Sequence, residues 1–330
     1  MTTVSLHRRP VRLFPPVGLS LLFRPLPKGA SRPTLDVRYE LSSDHWLRFS
    51  ARESLGVPEQ TLLLAVLELA GEHYVQEGDG ATLTRNDARA MPSRLWGTLY
   101  PDGGTGLPDT LMVSTTWDEL NHRCGAANGG SMIASRRASL RRLCEVVVWE
   151  EHAQHKSVRQ AFLMVWLEGD DRRIHLAVNH MLAASFFGGQ YAKLWMVERL
   201  QLGSDLAMHV HAFLSTWVRQ GGPRFSILLS TLAARVWPDN HDTAPAGTIR
   251  RRRLELQIAV DAIGRLSHWS IEWSGQRTKL TVDRAASGSV RDTTSSDSVV
   301  GDSSHREQVQ GPSTSADNDL SRNDVSVLFN

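Results

Sequence analysis

Cysteine is nearly absent: two occur in 330 residues, Cys124 and Cys144. That excludes a disulfide framework and a four-cysteine zinc site, and it suits a reducing compartment. Long hydrophobic runs are missing too. Runs such as Leu62–Leu67 and Ala161–Leu167 are far short of the ~20 residues that cross a bilayer, so no membrane partner is expected. Arg8 and Arg9 precede an apolar patch that Arg12, Pro15 and Pro16 interrupt, and no signal peptide is expected. There is no G-x-x-x-x-G-K-[ST] loop; Gly125–Ser131 is glycine-rich but lacks the lysine that reaches a phosphate. Tyrosine is scarce, and Tyr39, Tyr74, Tyr100 and Tyr191 all precede His209-Val210-His211. Two histidines flanking an apolar residue are what a nicking relaxase uses to hold a divalent metal. Here they fall in a helical pattern, where residues i and i+2 point about 200° apart. These deficits leave no catalytic residue to nominate. No enzyme, cofactor, small-molecule substrate or metal site is expected, and zinc at His122, Cys124 and Cys144 is a weaker reading than two buried thiols.

What is present is unevenly distributed. At 36.7 kDa the chain suits two ordinary domains. Ala285–Asn330 holds eleven serines, seven acids and three arginines, a net charge of −4. It has no apolar periodicity before Val325 and is expected to be disordered. The remainder, Met1–Arg284, carries a net +6. A basic body suits a polyanion.

Along the body, Met1–Gly29 is rich in Arg and Pro and reads as an extended arm. Leu35–Leu41 and Trp46–Phe49 read as a β-hairpin. Pro58–Ala70 reads as a helix stopped by Gly71. Thr116–Cys124 and Ser131–Cys144 read as two helices joined by a Gly/Asn turn. Two strands follow, Glu145–Glu150 and Ala161–Leu167, around a basic turn, His152–Gln160. The order then repeats. Helices are expected at Ser204–Val218, Ser226–Val236 and Thr248–Leu266. The last has an inward stripe of Ile249, Leu256, Val260, Ile263 and Leu266. Strands are expected at His268–Trp273 and Thr278–Val282. Helix, turn, basic helix, hairpin is the order of a winged helix-turn-helix, and its duplication strengthens both assignments.

DNA binding needs cations against phosphates and a helix narrow enough for the major groove. The two basic helices offer Arg136, Arg137, Arg141 and Arg142 in the first, with Ser131 at its start. The second offers Arg250, Arg251, Arg252, Arg253 and Gln257. All eight cations are arginine, which pairs bidentately with guanine as lysine does not. Lys156, Arg159, Arg277 and Lys279 are expected at the hairpin tips, facing the backbone or the minor groove. The blander alternative is a solvated basic surface, which fits the first helix better than the second.

Several stretches carry a family likeness: Leu22–Gly29 (L-F-R-P-L-P-K-G), Leu35–Tyr39 (L-D-V-R-Y), Ser54–Val57 (S-L-G-V) and Leu176–Asn179 (L-A-V-N). Phe187–Gln190 (F-G-G-Q), Val236–Pro238 (V-W-P) and Thr248–Arg253 (T-I-R-R-R-R) complete the series. In order and spacing, from about residue 20 to 284, the chain resembles the replication initiator (RepC) family of IncQ-type broad-host-range plasmids. The resemblance implies a monomeric or weakly associating bacterial cytoplasmic protein. It would bind double-stranded, directly repeated iterons at a plasmid origin. It would help melt an adjacent A+T-rich segment, so that a plasmid-encoded helicase and primase load. Arg250, Arg252 and Arg253 match the family's basic helix. Arg136 and Arg137 stand where the family is more neutral, and Leu254 and Glu255 replace later basic residues. The expected fold is α+β: an arm (1–29), two tandem winged-helix domains (30–187 and 188–284) and a disordered acidic tail (285–330). A winged-helix transcription regulator is the principal alternative, since it needs the same DNA surface.

Overall fold

In a computed structural model the described residues are 9–27, 29, 31–127, 129–153, 155–169, 172–239 and 242–286, without the side chains of 155–159. All but the first two residues of the expected tail lie outside them.

The chain begins with a short strand, β1 (Val11–Leu13), and one helical turn, α1 (Pro15–Leu19). The two prolines of α1 sit where a helix needs no N–H. A hairpin follows, β2 (Leu35–Ser42) and β3 (His45–Ala51), then the long helix α2 (Val57–Glu77). From Val57 to Ala70 nearly every α2 side chain is buried, as an all-round apolar sequence requires. The helix runs past its expected stop at Gly71. A Cβ there would lie 2.9 Å from Phe186 Cε1, so Gly71 permits close packing. The actual stop is Gly78, at φ 57°.

Next come β4 (Thr82–Leu83), α3 (Ala90–Leu99), β5 (Thr110–Thr115), α4 (Trp117–Arg123) and α5 (Gly130–Cys144). Thr116 caps α4 by accepting from the Glu119 N–H at 3.2 Å. Four strands follow: β6 (Val147–His152), β7 (His155–Phe162), β8 (Met164–Glu168) and β9 (Ile174–Val178). Then α6 (His180–Ala184), β10 (Ala192–Leu194) and α7 (Met196–Leu200) lead into α8 (Asp205–Trp217). The chain closes with β11 (Phe225–Leu228), α9 (Leu229–Val236), α10 (Ala246–Gly264), β12 (Trp269–Ser274) and β13 (Lys279–Arg284). The fold is mixed α+β with several small sheets and is winged-helix-like.

The same unit is built twice, as helix–strand–helix–helix–strand–strand: α2, β5, α4, α5, β8, β9 and then α8, β11, α9, α10, β12, β13. The strand order is β5–β9–β8 in the first unit and β11–β13–β12 in the second, antiparallel throughout. This corrects the expected hairpin of the first copy. Ala161–Leu167 is not one strand: the chain changes sheets at buried Leu163, whose N–H donates to Val146 O at 2.9 Å. β6 and β7 join β2 and β3 in a separate sheet of order β2–β3–β6–β7. The hairpin equivalent to β12–β13 is β8–β9. Likewise Phe225–Leu228 is a strand rather than the start of a helix. Ile249 is exposed, while Leu256, Ala259, Val260 and Ile263 form the buried stripe of α10.

The residues expected as an extended arm are, from Pro10 on, built into the body. β1 pairs antiparallel with β10, and Val11, Leu13, Val17 and Leu19 are buried. The Arg235 guanidinium of α9 donates to Leu19 O at 2.7 Å. A Cβ on Gly18 would lie 2.9 Å from Thr216 Cβ of α8 and closer still to its Oγ1. Gly18→Ala is therefore expected to destabilise the fold by about 1–3 kcal/mol through overpacking, measured by urea unfolding. Adding Thr216→Ala should recover part of that loss; if it does not, α1 is not seated on α8.

Candidate nucleic-acid interface

The second unit presents the clearer surface. Burial of Leu256, Ala259, Val260 and Ile263 turns the opposite face of α10 outward, exposing Arg250, Arg251, Leu254, Glu255 and Ile258. The four arginines are not equivalent. Arg252 is half-buried, its guanidinium 5.1 Å from the Trp237 ring centroid. Arg253 donates to Gln276 O at 3.3 Å, and Gln257 to Arg277 O at 3.2 Å, tying α10 to the β12–β13 turn. Arg277 pairs with Asp261 at 2.6 Å and lies 4.7 Å over the Trp273 ring. Arg253, Gln257 and Arg277 thus brace the helix against its hairpin, while Arg252 packs on the ring at the end of α9. Arg250 and Arg251 project, Arg251 keeping only an exposed pairing with Glu255 at 3.6 Å, which water screens. Lys279, at the start of β13, is exposed.

The first unit keeps the bracing and loses the projection. Counted from the helix start, Arg137 of α5 and Arg253 of α10 hold the same place. Arg137 also reaches its hairpin, pairing with Glu168 of β8 at 2.8 Å, and lies 5.2 Å over the Trp117 ring. The positions of Arg250 and Arg251 are taken in α5 by Ala134 and Ser135. Arg136 is buried, and Arg142 donates to the buried Glu59 at 2.8 and 3.0 Å. These two guanidiniums face the body, not a groove. Ser131 and Arg141 are exposed, so the outer face of α5 is small and mostly neutral.

Lys156 and Arg159 stand on β7, in the separate four-stranded sheet, and their side chains lie outside the described residues. The β8–β9 turn instead carries Arg172 and Arg173, both exposed. Arg172 has φ 63°, and Arg173 donates to Ser114 O at 2.9 Å. The spacing G-D-D-R-R between two apolar runs was the sequence signal for this turn.

His209 and His211 lie within helical α8, so they do not share a face, and both are buried. Burial lowers both imidazole pKa values, leaving the rings neutral at physiological pH. His211 Nε2 lies 3.1 Å from Glu198, which also accepts from Trp269 Nε1 at 3.0 Å. That cluster ties α7 to the second unit and is structural. No helix among the described residues is long and apolar enough to cross a membrane.

The model of one family, Replication protein C (RepC), matches residues 9–284. Among solved structures, a crystal structure of domains 2 and 3 of RctB aligns with a TM-score of 0.51 at 10% identity, covering 82% of this chain and 98% of that one. A second structure of RctB domains 2–3 aligns at 0.43 and 13% identity, covering 79% and 94%. The Pi initiator protein in complex with iteron DNA aligns at 0.43 and 11% identity, covering 71% and 92%. No curated protein matches the sequence.

Proposed function

The chain belongs to the Replication protein C family, and from that premise we propose that it initiates plasmid replication by binding repeated double-stranded DNA at the origin. The two helix–sheet units act as tandem winged-helix domains. The observation that carries this reading is the pair of projecting guanidiniums, Arg250 and Arg251, on a helix braced to its own hairpin. α10 enters a major groove, where Arg250 and Arg251 meet phosphates or guanine edges. Exposed Leu254 and Ile258 lie one and two turns further on, suited to thymine methyl groups. α5 enters the next groove on the same side with a face small enough for close approach. Grooves facing one way recur about every 10.5 bp, so one chain covers roughly 20 bp. Binding to several phased repeats strains the DNA, and a deformable A+T-rich neighbour opens to relieve it. That opening admits the helicase and primase. No step uses nucleotide hydrolysis by this chain.

The test is selection of fragments from the chain's own replicon by the purified protein, at about 150 mM salt with scrambled competitor. Retention of a single fragment carrying direct repeats near 20 bp is the expected result. Retention of a palindromic promoter fragment would replace this reading with a transcription regulator. No retention above competitor would overturn sequence-specific binding altogether.

A further inference from the structure

The sheet β2–β3–β6–β7 belongs to neither of the repeated units, and one end of it gathers side chains that DNA binding does not use. His45, the first residue of β3, is paired directly with His152, the last residue of β6. His152 is in turn paired with His155, the first residue of β7. Three histidines therefore stand in one row across three adjacent strands, beside the two hairpin turns. Glu150 lies two residues before His152, on the same face of β6. The Ala153 N–H donates to Asp44 O at 2.8 Å, holding the two turns together.

The side chains converge. Glu150 Oε1 is 3.0 Å from His45 Nε2 and 3.6 Å from His152 Nε2. The His45 and His152 rings are stacked, with centroids 3.9 Å apart and planes 18° apart. One ligand atom from each of the three residues lies within 4.8 Å of the others. A tetrahedral zinc ion with bonds of about 2.0–2.1 Å separates neighbouring ligand atoms by about 3.3 Å. The two measured separations from Glu150 bracket that value. All three residues are half-buried, open enough for an ion to enter and for the stacked imidazoles to turn their in-plane nitrogen lone pairs onto it.

We infer that His45, Glu150 and His152 form a binding site for a divalent transition cation of the zinc class. Two imidazoles with one carboxylate are a donor set for Zn²⁺, Co²⁺ or Ni²⁺; Mg²⁺ and Ca²⁺ prefer all-oxygen sites. Three protein ligands leave a fourth position for water. The cation would bridge β3 and β6 beside their turns. It would pin the outer end of the sheet, adding to the backbone pairing and the His45–Glu150 contact already there. None of the three ligands lies on α5, α10 or their hairpins, so this site is independent of the DNA-binding reading.

The test uses the full chain without a histidine tag, stripped by chelator and titrated with Co²⁺ and Zn²⁺. One equivalent should bind at micromolar or tighter affinity. Co²⁺ should give the visible absorption of a four-coordinate site, and Zn²⁺ should raise the thermal midpoint. His45→Asn and His152→Asn should each weaken binding at least about tenfold, whereas His122→Asn should not. Unfolding of the metal-free variants at the wild-type midpoint would show that they are folded. Less than one equivalent bound by the wild type would overturn the site. So would a folded His45→Asn, His152→Asn double variant that binds as tightly as the wild type.

Discussion

Replacing Glu59 with alanine should destabilise the protein by about 3–5 kcal/mol, the range for removing one partner of a buried ion pair. Glu59 is fully buried near the start of α2. One oxygen accepts from Arg142 at 2.8 and 3.0 Å and from Ser139 at 2.8 Å, both on α5. The other accepts from Arg32 at 3.0 Å and from the Gly56 N–H at 2.8 Å. The side chain thus starts α2, fixes α5 upon it and holds the segment before β2. Alanine would strand two guanidiniums and a buried hydroxyl without their acceptor. Arg142→Ala should cost less, because Arg32, Ser139 and Gly56 remain on the carboxylate. Burial alone would raise the pKa of Glu59, but hydrogen bonds from Arg142, Arg32, Gly56 and Ser139 outweigh it and the net shift is downward. The sign follows. A depressed carboxyl stabilises the fold fully above its unfolded pKa and loses that contribution as pH falls through the folded value. Urea unfolding of wild type and Glu59→Gln at pH 7 and near pH 3 should therefore show the gap between them shrinking in acid. An unchanged gap, or a Glu59→Ala loss below about 1 kcal/mol, would contradict the role given to this carboxylate.

Local signals in the sequence reached much of the fold. Thr116 before an acidic first turn and Gly125 after it bound α4 within a residue. The period of Leu256, Val260 and Ile263 located α10, and the Gly275 turn located β12–β13. What failed was set by partners distant in sequence. Val11 and Leu13 are buried because β10, some 180 residues later, pairs with them, and nothing local in an Arg/Pro-rich stretch announces that. The run Ala161–Leu167 is apolar on both sides of the bend at Leu163, so it lacks the alternation that would show two strands in two sheets. That single bend decides which hairpin accompanies α5. Because of it, Lys156 and Arg159 belong to the separate sheet, and Arg172 and Arg173 stand at the turn of the hairpin beside α5. Phe225–Val236 is similarly continuous, and the change from strand to helix is marked only by Leu229 N–H donating to Thr278 O at 2.8 Å. Counting arginines found both basic helices but could not tell which charges are already used. Glu59, 83 residues before Arg142, decides that.

The same distinction makes the double change Arg250→Ala, Arg251→Ala the most informative test of the DNA surface. Both side chains are exposed, on the face of α10 opposite its buried stripe. The loss should therefore fall on DNA and not on folding. At about 1 kcal/mol or more per lost contact, affinity at ~150 mM salt should drop about 30-fold or more. If both residues meet phosphates, the dependence of log K on log salt should also become shallower by about two. Arg142→Ala provides the opposite signature, a lower unfolding midpoint with an unchanged salt slope, because that charge is already paired with Glu59. Replacing Arg250 and Arg251 with lysine separates the two ways an arginine can work. Lysine keeps the charge and hence the slope, but it lacks the planar fork that reads guanine O6 and N7 together. Wild-type affinity and specificity in the lysine variant would assign the pair to phosphates. A preserved slope with relaxed discrimination at one or two base pairs would assign it to base reading. Wild-type affinity and slope in the alanine variant, with folding intact, would remove α10 from the interface and leave the repeated fold without its proposed reading head.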